Sequence, residues 1–251
     1  MADVPYLATP QLVVDEMLRI AQVAPGDVVY DLGAGDGRVV ITAAAKFGAR
    51  GVGVEIDAKM VTLSRANVAR AGLAQRVRIL HQDIFDTDLS EASVITLYLA
   101  PHLNLRLRER LLGLKPGTRI ISHSSDLGDW KPDLRRSIRK DVLLWHVPAR
   151  VEGAWRSRLG ESLLELEFRQ HFQTLSAEAR LDGQPASVWE TRLHGAQVEF
   201  VLVDPRGETS LYFAGRVVGD AILGEVARDV GAARKTTIWR AARLRSMSGS
   251  N

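Results

Sequence analysis

The apolar positions follow two rhythms that change near residue 150. Before it, short apolar runs alternate with stretches of helical period, the pattern of βαβ units around a parallel sheet. Residues 28–32, 52–55, 77–80, 94–99 and 119–123 read as strands. Val13, Met17, Ile20 and Ala21 share one helical face, and Thr9-Pro10 before them reads as an N-cap and first helical residue. Further helices are expected over about 37–47, from an Asp57 cap to Gly72, and over about 102–112. Residues 134–138 and 142–147 would close the sheet as a hairpin.

After Arg150 the helical period gives way to alternation. Leu164, Leu166, Phe168, Gln170 and Phe172 are interleaved with mostly charged neighbours, the period of a half-buried strand. Similar stretches recur at 188–193, 198–202, 211–217, 222–225 and 236–241. Turn signals divide them at Asp182-Gly183, His194-Gly195, Pro205-Arg206-Gly207 and Gly219-Asp220. About seven short antiparallel strands imply a barrel or sandwich. The expected fold is therefore α/β, with a Rossmann-like, doubly wound, mostly parallel sheet in residues 1–150 that would bind a cofactor. A smaller antiparallel all-β domain follows in 151–245, with a frayed tail at 246–251. An acceptor platform, a ligand cup and a dimerisation module all fit the second domain.

Composition adds exclusions. The chain has 251 residues, 46% of them hydrophobic, so a sizeable core is no difficulty. It has no cysteine, which removes disulfides, thiolate nucleophiles and zinc–sulfur sites and points to a cytoplasmic protein. No apolar run approaches the ~20 residues of a membrane span, and Met1-Ala2-Asp3-Val4-Pro5 lacks the marks of a signal peptide. The six histidines lack ligand spacing, and no metal is expected. A net charge of +3, from 33 basic and 30 acidic residues, is a weak nucleic-acid signal. Arg135, Arg136, Arg139 and Lys140 do cluster, as a solvated face or a dock for an acidic partner.

The informative stretch is Val28-Val29-Tyr30-Asp31-Leu32-Gly33-Ala34-Gly35-Asp36-Gly37-Arg38, a buried strand entering a glycine-rich turn before a helix. Glycines there let backbone approach a ligand with no Cβ in the way. The helix start offers N–H groups and partial positive charge. Glu55 ends the second strand some 20 residues on, where an acid accepts from ribose hydroxyls. Three details favour S-adenosylmethionine over a dinucleotide. The glycines run Gly33-x-Gly35-x-Gly37 instead of G-x-G-x-x-G. Asp31, just before the turn, would take an α-ammonium and repel a pyrophosphate. Asp83, after the third strand, can accept from an adenine amino group while Ile84 or Phe85 packs on the ring.

At these residues the chain resembles the class I methyltransferases, over about residues 4–147. Within them it is most similar to the seven-strand protein-lysine methyltransferases acting on the ATP synthase c subunit and the adenine nucleotide translocase, with an archaeal broad-specificity relative. The matching segments are Val4-Pro5-Tyr6-Leu7-Ala8-Thr9-Pro10, the glycine turn, Thr96-Leu97-Tyr98-Leu99 and Lys115-Pro116-Gly117-Thr118-Arg119-Ile120-Ile121-Ser122-His123. The resemblance implies that Tyr6 and Thr9 fold over the methionine end of the cofactor. From the residues alone they are equally a hydrophobic staple and a cap. The C-terminal β domain departs from the family pattern.

Methyl transfer requires alignment of nucleophile, methyl and sulfur, and exclusion of water. Tyr98, expected at the end of the fourth strand, lies where acceptors approach; it lines that channel or is ordinary packing. His123 ends the fifth strand with the same two readings. Trp130 covers a sheet edge or flanks the channel. The sequence thus points to methyl transfer onto a protein amine, lysine foremost. A small-molecule acceptor closed over by the β domain, or a cofactor-binding assembly protein without turnover, are the alternatives.

Overall fold

The computed structural model describes residues 8–207, 209–230 and 233–244. Tyr6 and the tail at 246–251 lie outside them. The chain forms two compact units that part between Val147 and Pro148.

The first unit is built on β1 (Val28–Leu32), β2 (Arg50–Glu55), β3 (Val77–His81), β4 (Val94–Leu97), β5 (Arg119–His123), β6 (Leu134–Ile138) and β7 (Lys140–His146). They form one sheet in the order β3-β2-β1-β4-β5-β7-β6. The first five are parallel, and β7 and β6 close the edge antiparallel. Every residue of β1 and β4 is buried, as central strands covered on both faces require. Helices α1 (Gln11–Ile20), α2 (Arg38–Phe47), α3 (Ala58–Arg70) and α4 (Pro101–Leu112) complete the unit. Val13, Val14 and Met17 of α1 pack with Val39 and Ala43 of α2 and with Val29, Val94 and Ile121 of the sheet. Val40 and Ala44 of α2 join Val61 and Val68 of α3 and Val77 and Ile79 of β3 in a separate cluster.

Asp57 caps α3, accepting from the Lys59 N–H at 2.7 Å and the Met60 N–H at 3.3 Å. The cap expected at Thr9 is not formed. Pro10 occupies that position with no side-chain cap, and the Pro10 carbonyl accepts the first helical bonds, from Val13 and Val14. The fourth strand is shorter than its apolar run, ending at Leu97 and leaving Tyr98 just beyond it. Trp130 is fully buried 6.2 Å from Trp145, whose indole N–H donates to the Trp130 carbonyl. It is a buried packing residue beside Trp145.

The second unit is a closed antiparallel barrel, which settles barrel over sandwich. Its eight strands are β8 (Gly153–Leu159), β9 (Ser162–His171), β10 (Thr174–Leu181), β11 (Gln184–His194), β12 (Gln197–Val203), β13 (Ser210–Val218), β14 (Ala221–Val230) and β15 (Ala233–Arg243). Asp182 and Gly183 take φ of 50° and 78° at the β10–β11 turn, as a two-residue hairpin needs. Inside, Phe200 stacks on Phe213 at 4.6 Å, and Trp239 stands edge-on to Phe213 at 4.9 Å. Gly215 and Gly224 face each other where β13 and β14 pass this ring. A Cβ on Gly224 would lie 2.0 Å from the Ala214 carbonyl oxygen, so only glycine permits that approach. Among the described residues, no helix is long and apolar enough to cross a membrane.

Candidate functional site

The parallel strands deliver their carboxyl ends to one edge of the sheet, the edge where open α/β folds bind ligands. β1 ends at Leu32 and the chain turns at once through Gly33, Gly35 and Gly37, all at positive φ (83°, 52° and 81°). A Cβ on Gly33 would come within 3.0 Å of Leu99 Cδ2, and one on Gly37 within 3.2 Å of Ser64 Cβ. The Gly33 and Ala34 N–H groups both donate to the Val54 carbonyl at 2.9 Å, tying the loop to β2. Glu55, at the end of β2, accepts from the Gly35 N–H through Oε2, and from the Ile56 and Asp57 N–H groups through Oε1, all at 2.9 Å. The structure thus joins Glu55 to the glycine loop across 20 residues of chain.

Asp31 is buried at 6% exposure. The Thr96 hydroxyl of β4 donates to it at 2.6 Å, and Asp31 and Thr96 are register partners. Burial pushes the Asp31 carboxyl up to about 7; the Thr96 bond opposes this, and the charges of Glu55 and Asp36 add to it. Among the described residues no cation pairs with it.

Sequence reasoning missed the roles of Asp36 and Arg38. The Arg38 guanidinium grips both Asp36 carboxylate oxygens, with its Nη2 at 2.7 Å, while its Nη1 donates to the Thr9 carbonyl at 2.9 Å. Asn67 of α3 donates to the Asp36 carbonyl at 2.9 Å. The Gly-Asp-Gly-Arg run therefore latches the segment before α1 onto the glycine loop and leaves Thr9 buried beside it. The signal was in the sequence, as an acid and a base two residues apart inside the turn.

Asp83 follows β3 and uses one carboxylate oxygen to accept from the Phe85 N–H at 2.8 Å. Ile84 and Phe85 are half-buried. The Arg106 guanidinium lies 3.9 Å from the Phe85 ring centroid and covers one of its faces.

Tyr98 and His123 do come together, with ring centroids 4.4 Å apart and planes tilted by 35°. His123 is buried, and among the described residues neither ring nitrogen has a hydrogen-bond partner. Burial, and then the Lys140 charge, hold its pKa below the usual imidazole value, so the ring is neutral at physiological pH. Ser124, directly after it, is held at φ 79° with its N–H donating to the Asp141 carbonyl at 2.7 Å. Such strain in a non-glycine residue persists only where the surroundings enforce it. Lys140 Nζ lies 5.9 Å from the Tyr98 ring centroid, a neighbour that sequence reasoning placed only within a basic cluster.

Residues 31–134 match the model of the ANTKMT methyltransferase domain. A protein-lysine N-methyltransferase of Saccharolobus islandicus (strain REY15A) is 44% identical over 131 residues, 51% of this chain and 81% of the relative. The chain belongs to the ANTKMT methyltransferase family. The methyltransferase is 33% identical to the mouse adenine nucleotide translocase lysine N-methyltransferase over 51% of this chain and 56% of the relative. It thus spans little more than half the length of that relative. A Salinibacter ruber structure described as an RNA methyltransferase in complex with S-adenosyl-L-homocysteine is 48% identical, with a TM-score of 0.57. That match covers 58% of this chain and 96% of the other. The family cofactor is S-adenosylmethionine. The matched family model ends at residue 134, before the barrel begins.

Proposed function

We propose that the chain N-methylates lysine in a protein substrate. The observation that carries this reading is the buried imidazole of His123 at the end of β5, without a hydrogen-bond partner among the described residues and against the ring of Tyr98 just past β4. An acceptor amine needs such a place: apolar enough to favour its neutral form, with a lone pair nearby to take a proton. Free lysine has a pKa of about 10.4, and desolvation lowers it. Tyr98 would orient the amine and His123 would accept its proton.

The donor set fits S-adenosylmethionine. Asp31 would pair with the α-ammonium, the cation its buried carboxyl lacks. Glu55 would accept from the ribose hydroxyls while the loop N–H groups hold it in place. Gly33, Gly35 and Gly37 would let backbone approach the methionine moiety. Asp83 would accept from the adenine amino group, with Ile84 and the other face of Phe85 against the ring. Thr9, latched by Arg38, and Tyr6 would cover the methionine end. Bound there, the cofactor supplies a methyl group on a sulfonium whose departure as a neutral thioether drives in-line displacement.

The name of the S. islandicus relative supports lysine as acceptor; that of the S. ruber structure favours a second reading, RNA. One experiment separates them. Cell extract is incubated with the full chain and radiolabelled S-adenosylmethionine, then divided and treated with protease or ribonuclease. The protein reading expects label that protease releases and ribonuclease leaves, recovered as methyl-lysine on hydrolysis. Label released by ribonuclease, or label in small molecules alone, would overturn it. The cysteine-free composition supports a cytoplasmic setting.

A further inference from the structure

We infer that Lys140 is itself a methyl acceptor, an automethylation site built into the β6–β7 hairpin; the inference rests on the reading of the Tyr98–His123 edge as the acceptor approach.

Three observations place it. β7 runs antiparallel to β5 with His123 paired to Val142, so Lys140 lies two residues past the carboxyl end of β5. The hairpin turns at Arg139, in the left-handed region at φ 62°. That turn brings Lys140 to the same sheet edge as Asp31 and the glycine loop. The side chain then leans over the Tyr98 ring, with Nζ 5.9 Å from its centroid, while His123 stacks against the same ring at 4.4 Å. The adjacent acid does not draw it away, because Asp141 is engaged by Arg135 at 2.8 Å and by Ser137 at 3.0 Å. Lys46 and Lys131, by contrast, are held elsewhere, by Asp15 and by the Gly128 carbonyl.

From Asp31 the edge runs through Thr96, which donates to it, to Tyr98 two residues on, and then to Lys140. An amine over Tyr98 therefore lies two residues along the chain from Thr96, the partner of the carboxylate proposed for the α-ammonium. The Lys140 ammonium first gives up a proton, to the neutral His123 ring or to water. The amine lone pair then forms an N–CH3 bond as the S–CH3 bond breaks, and that electron pair stays on sulfur. Loss of a second proton to solvent returns the methylamine to neutrality, so no oxidant or further reactant is needed. Donor site and acceptor belong to one chain, and the inferred transfer is intramolecular.

The test uses the full chain, incubated with S-adenosylmethionine carrying a deuterated methyl group and mapped by peptide mass spectrometry. The same preparation is titrated with S-adenosylhomocysteine and assayed for labelling of extract proteins. Methyl groups are expected on Lys140, either already present on isolation or acquired as the deuterated form. The first-order rate of acquisition should not change with chain concentration, and the label should vanish in Lys140→Arg. A readout independent of turnover is acylation of Lys140 by an amine reagent, which saturating S-adenosylhomocysteine should slow more than that of Lys46. An unmodified Lys140 in a preparation that binds S-adenosylhomocysteine and labels extract proteins would overturn the inference and leave the proposed function standing. So would a rate that rises in proportion to chain concentration. Failure to bind S-adenosylhomocysteine would overturn both.

Discussion

Burial raises the Asp31 carboxyl to about 7 against the pull of the Thr96 hydroxyl, with Glu55 and Asp36 adding to the rise. Between its ordinary value of 3.8 and about 7, folding makes this group take up a proton that the unfolded chain has released. The ligand-free fold thus keeps its full stability from this group in acid and loses it as pH rises through about 7. Asp31→Asn removes the penalty. At about pH 8 the ligand-free variant is expected to melt above the wild type, and the difference should shrink as the pH is lowered. Thermal denaturation at several pH values checks this; a variant less stable than wild type at about pH 8 would refute the buried, cation-free carboxyl. At Glu55, Glu55→Ala deletes the acceptor of three N–H groups. It should weaken S-adenosylhomocysteine binding by about 1–3 kcal/mol, measurable by calorimetry. These acids were legible in the sequence because each stands at, or one residue before, the end of an apolar strand. The engagement of Asp83 by its own turn was not, since a side-chain bond to the N–H two residues on leaves no trace in hydrophobic pattern.

Elements were read most accurately where burial made them continuous. β1 and β5 matched their apolar runs residue for residue. The α3 cap at Asp57 was visible as a short acid before a helical period. The barrel was harder. β8 points Trp155, Ser157 and Leu159 inward, and β10 points Leu175, Ala177, Ala179 and Leu181 inward. With a serine or alanines on the inner face, neither strand shows the strong alternation that marks β9, and both were missed. Tight glycine positions mark where elements depend on backbone. Gly33→Ala forces a Cβ into left-handed backbone at φ 83°, 3.0 Å from Leu99. The conformational cost alone is roughly 1–2 kcal/mol, and cofactor affinity should fall with it. Gly224→Ala has no such graded outcome, because its Cβ would overlap the Ala214 carbonyl oxygen at 2.0 Å. That variant is expected to lose the near-ultraviolet signal of the Phe200–Phe213–Trp239 ring, and a native spectrum would contradict the packing described.

At the scale of the molecule, two cores are assembled from separate stretches of sequence. The residues proposed to hold the cofactor all precede Val147, and the barrel buries its own aromatic cluster after Pro148. A chain ending at Val147 is therefore expected to bind S-adenosylhomocysteine as the full chain does; lost binding in a folded truncation would show that the donor site needs more than its own unit. The change of rhythm near residue 150 made the division legible. The use of the barrel was not, because a closed sheet with a filled interior carries no pattern tied to one ligand. The most direct test of the whole account is calorimetric titration of the full chain with S-adenosylhomocysteine and, separately, with NADH, from about pH 8 down to about pH 6. One site for S-adenosylhomocysteine, weakening as Asp31 takes up its proton below about pH 7, and no heat from NADH is the expected result. Binding of NADH, or S-adenosylhomocysteine affinity that strengthens in acid, would contradict it.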